Sequence, residues 1–328
     1  MKALVTGASG GIGRDMARML SAMGYDLIAV ARSRDKLEAL KQELNTEVQV
    51  LPLDLSREQA CFDLYNQVKD QNIDVLINNA GYGMYGRFYD TDLEQELNML
   101  RLNIQAVHIL TKLFLRDFKK RNKGYLMNVS SSAAFFAGPL MSSYYASKAY
   151  VFRLTEAVYE ELRREKSDVS VSVLCPGPVD TGFNDRAGVK FSVKGLSSCE
   201  VAAYALRKMF QKKLLIVPGA LMKAAKFTGR LAPEKLMLRC SYHMQNRKGE
   251  DEAPINGTEA KAEGEETWPK LPVSSPHKVG KAVGIAGRRG KKAERDDTQP
   301  SLSAFLKPRF KPVAFMVFFL FQQMIFIC

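Results

Sequence analysis

Histidine is nearly missing from this 328-residue chain: His108, His243 and His277 are all it has. The five cysteines (Cys61, Cys175, Cys199, Cys240, Cys328) stand far apart, with no CxxC pair and no Cys/His cluster. So few histidines argue against a His-rich metal centre, and no metal site is expected. An odd number of scattered thiols argues against a disulfide scaffold and suits a reducing compartment. The opening MKALVTGASG lacks the long apolar run of a secretory leader, so the cytoplasm is the expected location. Acidic residues are outnumbered, 35 against 48 lysines and arginines, for a net charge of +13. That excess admits anionic partners without choosing among them.

What is present is an ordinary core composition, 46% hydrophobic, which excludes a wholly disordered chain. Short apolar runs read as strands at Ala3–Thr6, Asp26–Ala31, Val48–Leu53, Ile73–Asn78, Tyr125–Ser130, Val169–Cys175 and Leu214–Val217. Several are continuous in Val, Ile and Leu, as strands buried on both faces should be. Amphipathic stretches near 11–24, 34–45, 56–70, 92–121, 143–166 and 199–212 lie between them. This alternation predicts an α/β fold: a doubly wound, mostly parallel, seven-stranded sheet of Rossmann type with helices on both faces. Seven strands fit one domain, 1–246, better than the two that length alone suggests.

The remainder reads as different material. Residues 247–312 are rich in Glu, Lys, Gly, Pro, Ser and Thr, acidic first and basic later, and read as a disordered linker. A solvated tail accounts for those charges better than nucleic-acid binding does, so no nucleic-acid partner is expected. Residues 313–328 (VAFMVFFLFQQMIFIC) are uncharged and follow Lys307, Arg309 and Lys311. As a helix they reach roughly 24 Å, short of a ~30 Å hydrocarbon core. Three readings stay open: a short membrane anchor, a segment packed on the folded part, or an extension without function.

The first strand runs into Thr6-Gly7-Ala8-Ser9-Gly10-Gly11-Ile12-Gly13, where a helix begins. A strand, a glycine turn and a helix N-terminus make an anion site of outward N–H groups and partial positive charge. Glycines let backbone approach a pyrophosphate and let the helix pack close to the sheet. The spacing is GxxxGxG, and the segment resembles the TGxxxGIG of the short-chain dehydrogenase/reductase family over residues 1 to about 230.

That resemblance implies a nicotinamide cofactor held by Thr6, Gly7, Ser9, Gly11, Ile12 and Gly13. After the second strand the chain reads Ala31-Arg32-Ser33-Arg34, with no carboxylate for a ribose 2′-OH. Arg32 there suits a 2′-phosphate, and Arg14 adds charge nearby, so NADP(H) is favoured over NAD(H). Asp54 matches the family's adenine-contacting position. Asn79, Ala80 and Gly81, in Asn78-Asn79-Ala80-Gly81, match its NNAG motif beside the cofactor. Pro176-Gly177-Pro178-Val179-Asp180-Thr181 resembles the PGxxxT segment against the nicotinamide, so Pro176, Gly177, Val179 and Thr181 join the cofactor-binding set.

Tyr144 and Lys148 stand four apart on one predicted helix, hence on one face. A nearby ammonium favours phenolate, so the pair is expected to lower the tyrosine pKa and exchange protons near neutral pH. Ser131 lies thirteen residues before Tyr144 at a strand end, where ligands bind in open α/β sheets. By resemblance Ser131 holds the substrate carbonyl, Tyr144 is the acid/base, and Lys148 binds ribose and tunes Tyr144. Asn103 is the asparagine of a proton relay. The implied reaction is hydride transfer between nicotinamide and a carbonyl or alcohol carbon. A non-catalytic cofactor-binding regulator of the same fold is the alternative; such relatives usually lack the tyrosine or lysine that this chain retains.

Residues 182–198 read as a mobile loop over the site, and 219–240 as an amphipathic, basic helix pair serving as an apolar lid, a membrane-facing patch or ordinary packing. Met84, Tyr85, Phe88, Phe135, Phe136 and Met141 suggest an apolar carbonyl or alcohol substrate. The helices at 92–121 and 143–166 form a four-helix interface in many members of the family, implying a homo-oligomer.

Overall fold

The computed structural model describes residues 1–181, 195–219, 222–223 and 233–250. All belong to one compact unit spanning 1–252. The strands are β1 (Lys2–Thr6), β2 (Asp26–Ala31), β3 (Val48–Pro52), β4 (Val75–Asn78), β5 (Tyr125–Val129), β6 (Ser170–Leu174), β7 (Val179–Asp180), β8 (Leu196–Ser197) and β9 (Leu215–Ile216). Seven of them form one sheet in the order β3-β2-β1-β4-β5-β6-β9, parallel at every pairing. The order reverses between β1 and β4, the switch point where such sheets bind ligands beyond the strand C-termini.

Side chains alternate across the sheet. Ala3 and Val5 of β1 face one helical layer, and Leu4 between them faces the other. The first layer holds α1 (Gly11–Ala22), α2 (Arg34–Glu43) and α7 (Ser198–Phe210), through Met16, Leu20, Leu37, Val201 and Leu206. The second holds α3 (Glu58–Val68), α5 (Val107–Arg121) and the C-terminal part of α6 (Ser142–Arg164), through Leu64, Phe114, Phe118 and Leu162. Burial on both faces explains why the strands read as unbroken apolar runs rather than alternating ones.

A buried polar ladder ties β4, β5, α5 and α6 together near the strand ends. Asn78 Nδ2 donates to Asn128 Oδ1 (2.9 Å) and Thr111 Oγ1 (3.1 Å), and Asn128 Nδ2 donates to Thr155 Oγ1 (3.0 Å). Hydrogen-bonded amides in a dry interior fix register where apolar contacts would permit sliding.

Three elements differ from the sequence reading. The single helix expected over 92–121 is α4 (Leu93–Leu100), a π-helical turn (Arg101–Ala106) and then α5. Periodicity does not reveal one extra residue in a turn. Within the expected loop 182–198, Leu196–Ser197 is β8, paired with β7; residues 182–194 lie outside the described part. A helix α8 (Glu234–Glu250) follows, and only its first residues lie in the expected basic pair. The expected linker 247–312 begins inside α8, which runs to Glu250; its residues 251–312 and the expected apolar end 313–328 lie outside the described residues. Among the described residues, no helix is long and apolar enough to cross a membrane.

Candidate active site

The glycine turn is built by close packing. A Cβ on Gly13 would lie 2.4 Å from the Gly7 carbonyl oxygen and 2.4 Å from Asn79 Nδ2, so no side chain fits. Gly7 itself sits at φ +69, and its N–H donates to the Val30 carbonyl (2.8 Å). The first turn of α1 carries no acidic side chain, which leaves its positive end unopposed. Thr6 Oγ1 accepts from the N–H groups of Asn79 (2.9 Å) and Ala80 (3.0 Å), while Asn79 Nδ2 donates to the Thr6 carbonyl (2.9 Å). The TGxxxGIG and NNAG segments are thus one structure, stitched across the switch point.

The other expected cofactor residues surround this turn unevenly. Thr181 packs its methyl against Gly11, and Met222 lies over Gly177. The Pro176 carbonyl accepts from Ser132 N–H (2.8 Å), which joins the 176–181 segment to the end of β5. Ser9 and Ile12 are half-buried in the turn, and Val179 is buried in β7. Asp54, two residues beyond β3, spends Oδ1 on Ser56 N–H (3.0 Å) and Ser56 hydroxyl (2.8 Å). Arg32 stands exposed after β2, with no ion pair among the described residues. Arg14 approaches Asp15 (3.4 Å) and is half-exposed.

Ser131, Tyr144, Lys148 and Asn103 converge from three elements. Ser131 caps the short helical turn Ser132–Phe135 after β5, its Oγ accepting from Ala133 N–H (3.1 Å). Its side chain is near enough to the Tyr144 phenol to lower the proton affinity of that hydroxyl. Lys148 Nζ lies 5.8 Å from the Tyr144 ring centre and donates to the Val129 carbonyl (3.2 Å). Asn103 sits in the π-helical turn, a device frequent at functional sites. Its Oδ1 accepts from Tyr82 N–H (3.1 Å), and its Nδ2 donates to the Tyr82 carbonyl (2.9 Å) and Ser147 Oγ (3.1 Å). Both amide hydrogens are therefore used, and a proton relay through Asn103 has only its oxygens to run on. A Cβ on Gly81 would meet Asn103 Oδ1 at 2.8 Å and Lys148 Nζ at 3.2 Å, which brings the NNAG segment against both.

All three of Tyr144, Lys148 and Asn103 are buried, and burial dominates the electrostatics of Tyr144 and Lys148. It pushes the Lys148 ammonium down to about 8. It pushes the Tyr144 phenol well above its ordinary value, against a smaller opposing pull. This departs from the expectation that Lys148 lowers Tyr144: desolvation of the phenolate is the largest cause, and the opposing pull comes from Ser131. The Cys175 thiol at the end of β6 acts on both groups.

Ser147, Tyr82 and Gln245 escaped the sequence reading. Ser147 shares the Tyr144/Lys148 face, and its hydroxyl donates to the Tyr144 carbonyl (2.7 Å); that spacing was its only signal. Gln245 of α8 bonds the Tyr145 hydroxyl through its side chain and accepts from Tyr85 hydroxyl through its carbonyl (3.3 Å). Nothing local marks it, because the partners lie 100 and 160 residues away. Met84, Tyr85 and Met141 cluster with Tyr144 as expected of a cleft, alongside Met99 and Tyr145. Phe135 instead packs on Phe152 (ring centres 5.4 Å apart), with Phe136 edge-on to it, and Phe88 is 65% exposed. Among the described residues, no cluster suits a metal ion.

The reversed strand order, the glycine cradle at its switch point and the serine–tyrosine–lysine group at the strand ends are those of an NAD(P)-dependent oxidoreductase. The family model described as short chain dehydrogenase matches residues 1–190, and the chain belongs to that family. It is 35% identical over 192 residues to dehydrogenase/reductase SDR family member 11 of Gallus gallus, covering 55% of this chain and 75% of that one. It is 29% identical over 208 residues to an uncharacterised oxidoreductase of Staphylococcus epidermidis, covering 62% and 90%. A short-chain dehydrogenase from Sphingobium yanoikuyae, solved with NADPH, superposes with a TM-score of 0.65 at 28% identity, over 72% of this chain and 94% of that one. A Burkholderia phymatum relative solved with NAD (TM-score 0.64, 23% identity, 69% and 92% covered) shares the fold.

Proposed function

We propose that residues 1–246 form an NADP(H)-dependent carbonyl reductase or secondary-alcohol dehydrogenase with Tyr144 as general acid/base. The observation that carries this reading is the Ser131–Tyr144 hydroxyl pair with the Lys148 ammonium beside it. The glycine cradle supports a dinucleotide, since the close packing of Gly13 on Gly7 and Asn79 holds the start of α1, with no acidic side chain in its first turn, at the end of β1. Thr6, Gly7, Ser9, Gly11, Ile12, Gly13, Asp54, Asn79, Ala80, Gly81, Pro176, Gly177, Val179 and Thr181 would hold it. When bound, the cofactor supplies or accepts the hydride.

In the reducing direction, Tyr144 gives its hydroxyl proton to the substrate oxygen as the carbonyl carbon gains hydride, leaving an alcohol. Ser131 donates a hydrogen bond to the oxygen as charge develops on it. Lys148, buried and cationic below about pH 8, stabilises the transient phenolate and gives it a proton, which a water held by an oxygen of Asn103 would restore from solvent. A phenol kept protonated by burial suits a donor, and so favours reduction. Arg32, exposed and unpaired among the described residues, suits the NADP 2′-phosphate. Met84, Tyr85, Met99, Met141 and Tyr145 around Tyr144 suit an apolar carbonyl compound.

Two titrations of the full chain test the reading. Nicotinamide fluorescence is followed with NADPH and with NADH, and cofactor consumption is then followed with apolar ketones. Tighter NADPH binding and ketone-dependent oxidation are expected. A preference for NADH overturns the role of Arg32, and binding of neither overturns the enzyme reading.

A further inference from the structure

We infer that a second ligand site, for an organic phosphate, lies at the outer edge of the sheet beside β9. A cavity of about 330 Å³ opens there, lined by Tyr204, Lys208, Lys213, Leu215, Val217 and Lys223. It shares no residue with the glycine turn. The sheet order sets β9 four strand positions from β1, roughly 19 Å at the usual spacing.

Cations gather on one ring. Lys223 Nζ lies 5.5 Å, Arg207 Cζ 5.6 Å and Lys208 Nζ 5.9 Å from the Tyr204 ring centre, and Lys223 also donates to the Tyr204 hydroxyl (3.2 Å). Lys213 lines the same cavity. Among the described residues, no carboxylate lines it and none of these four cations has an ion pair. The contrast with neighbouring Lys212, which pairs with Asp168 at 3.8 Å, is direct.

Service to the helix end does not explain the cluster. The last carbonyls of α7 already accept from backbone N–H groups: Arg207 from Gln211 (3.2 Å), Lys208 from Lys213 (3.1 Å) and Met209 from Lys212 (2.8 Å). Like charges held around one aromatic ring repel, and a polyanion among them reverses the sign of that interaction. Lysines act as point charges and suit phosphate from several directions. The Leu215 and Val217 floor suits an apolar skeleton attached to the phosphate. The cavity falls at the small end of the range for small-molecule sites. Its floor is not isolated from the reaction site, because Val217 packs in one cluster with Cys175, and Cys175 N–H donates to the Ile216 carbonyl (2.8 Å).

The phosphate could be carried by a soluble metabolite or a lipid headgroup, and two arms separate these. The full chain and a Lys208→Gln/Lys213→Gln/Lys223→Gln variant are titrated calorimetrically with inorganic pyrophosphate. Both are also sedimented with phosphatidylcholine vesicles, with and without phosphatidic acid. Lys223→Glu alone, at an exposed position, is the second variant. The glycine turn is the same in every protein, so its own affinity for phosphate cancels in the comparison. The expected result is pyrophosphate binding weakened about tenfold or more in the triple variant, and weakened by added salt in the wild type. Equal pyrophosphate binding with phosphatidic-acid sedimentation lost in the variants assigns the phosphate to a lipid. Variants that match the wild type in both arms overturn the site.

Discussion

The two halves of the site are made of different materials. Around β1, α1 and β4 it is made of backbone: glycines, N–H groups and one threonine hydroxyl that ties two turns together. Around β5, β6 and α6 it is made of buried side chains whose proton affinities burial has moved. The first half works by excluding atoms, and the second by forcing polar groups into a place that water would suit better. Substitutions should therefore separate them. In the cradle, added bulk damages folding and binding together. In the reaction centre, removal of a polar group damages chemistry while sparing or raising stability.

The sharpest break is Tyr144→Phe, which removes one hydroxyl from a buried ring. Turnover should fall by roughly a thousandfold while cofactor fluorescence titrations stay unchanged. Turnover within a few-fold of wild type would remove Tyr144 from the reaction. Gly13→Ala tests the opposite half. Its methyl meets backbone oxygen at 2.4 Å, so urea unfolding should show a loss of about 3 kcal/mol, with cofactor binding lost in parallel.

Lys148→Met carries the comparison to its least intuitive consequence. The unfolded chain keeps the Lys148 proton up to the ordinary lysine range, whereas the folded chain keeps it only to about 8. The unfolded state therefore binds more protons between these values. Folding is penalised below about pH 8, and stability returns as pH rises above it. Removing the ammonium lifts a penalty of about 3 kcal/mol at neutral pH, less about 1 kcal/mol for the Val129 carbonyl left without this donor. Urea unfolding at neutral pH should show a net gain of about 2 kcal/mol, shrinking toward alkaline pH, in a protein without turnover. A loss of stability at neutral pH would refute the strain assigned to this half. In the wild type, the rate of carbonyl reduction should decline as pH passes about 8, where Lys148 loses its charge.

The smallest expected effect belongs to the cradle's rim. Arg32→Ser should weaken NADPH binding about tenfold and leave NADH binding unchanged, because only one ligand carries the phosphate. An equal loss for both would return Arg32 to the status of a surface residue.

Much of this arrangement was legible in the residues. The main strands announced themselves as apolar runs because both faces are covered, and TGASGGIG, NNAG and Tyr144-x-x-x-Lys148 are local patterns with local geometric reasons. Three features were hidden for physical causes. The π-helical turn at Asn103 adds no change of composition. The pairing of β7 with β8 involves two residues on each side, too few for a pattern. Gln245 reaches Tyr145 of α6 and Tyr85 only because α8 returns over segments far earlier in the chain.

The sequence by itself determined the main strands and helices, the glycine turn and the face shared by Tyr144 and Lys148, all of which depend on residues near one another in the chain. Only the tertiary structure decided the proton affinities. Tyr144 is raised and Lys148 lowered because the interior that surrounds them is assembled from β5, β6, α6 and the Gly81 turn, and desolvation is a property of that assembly. Pattern can place an ammonium beside a phenol; how much water remains between them is settled when the chain closes.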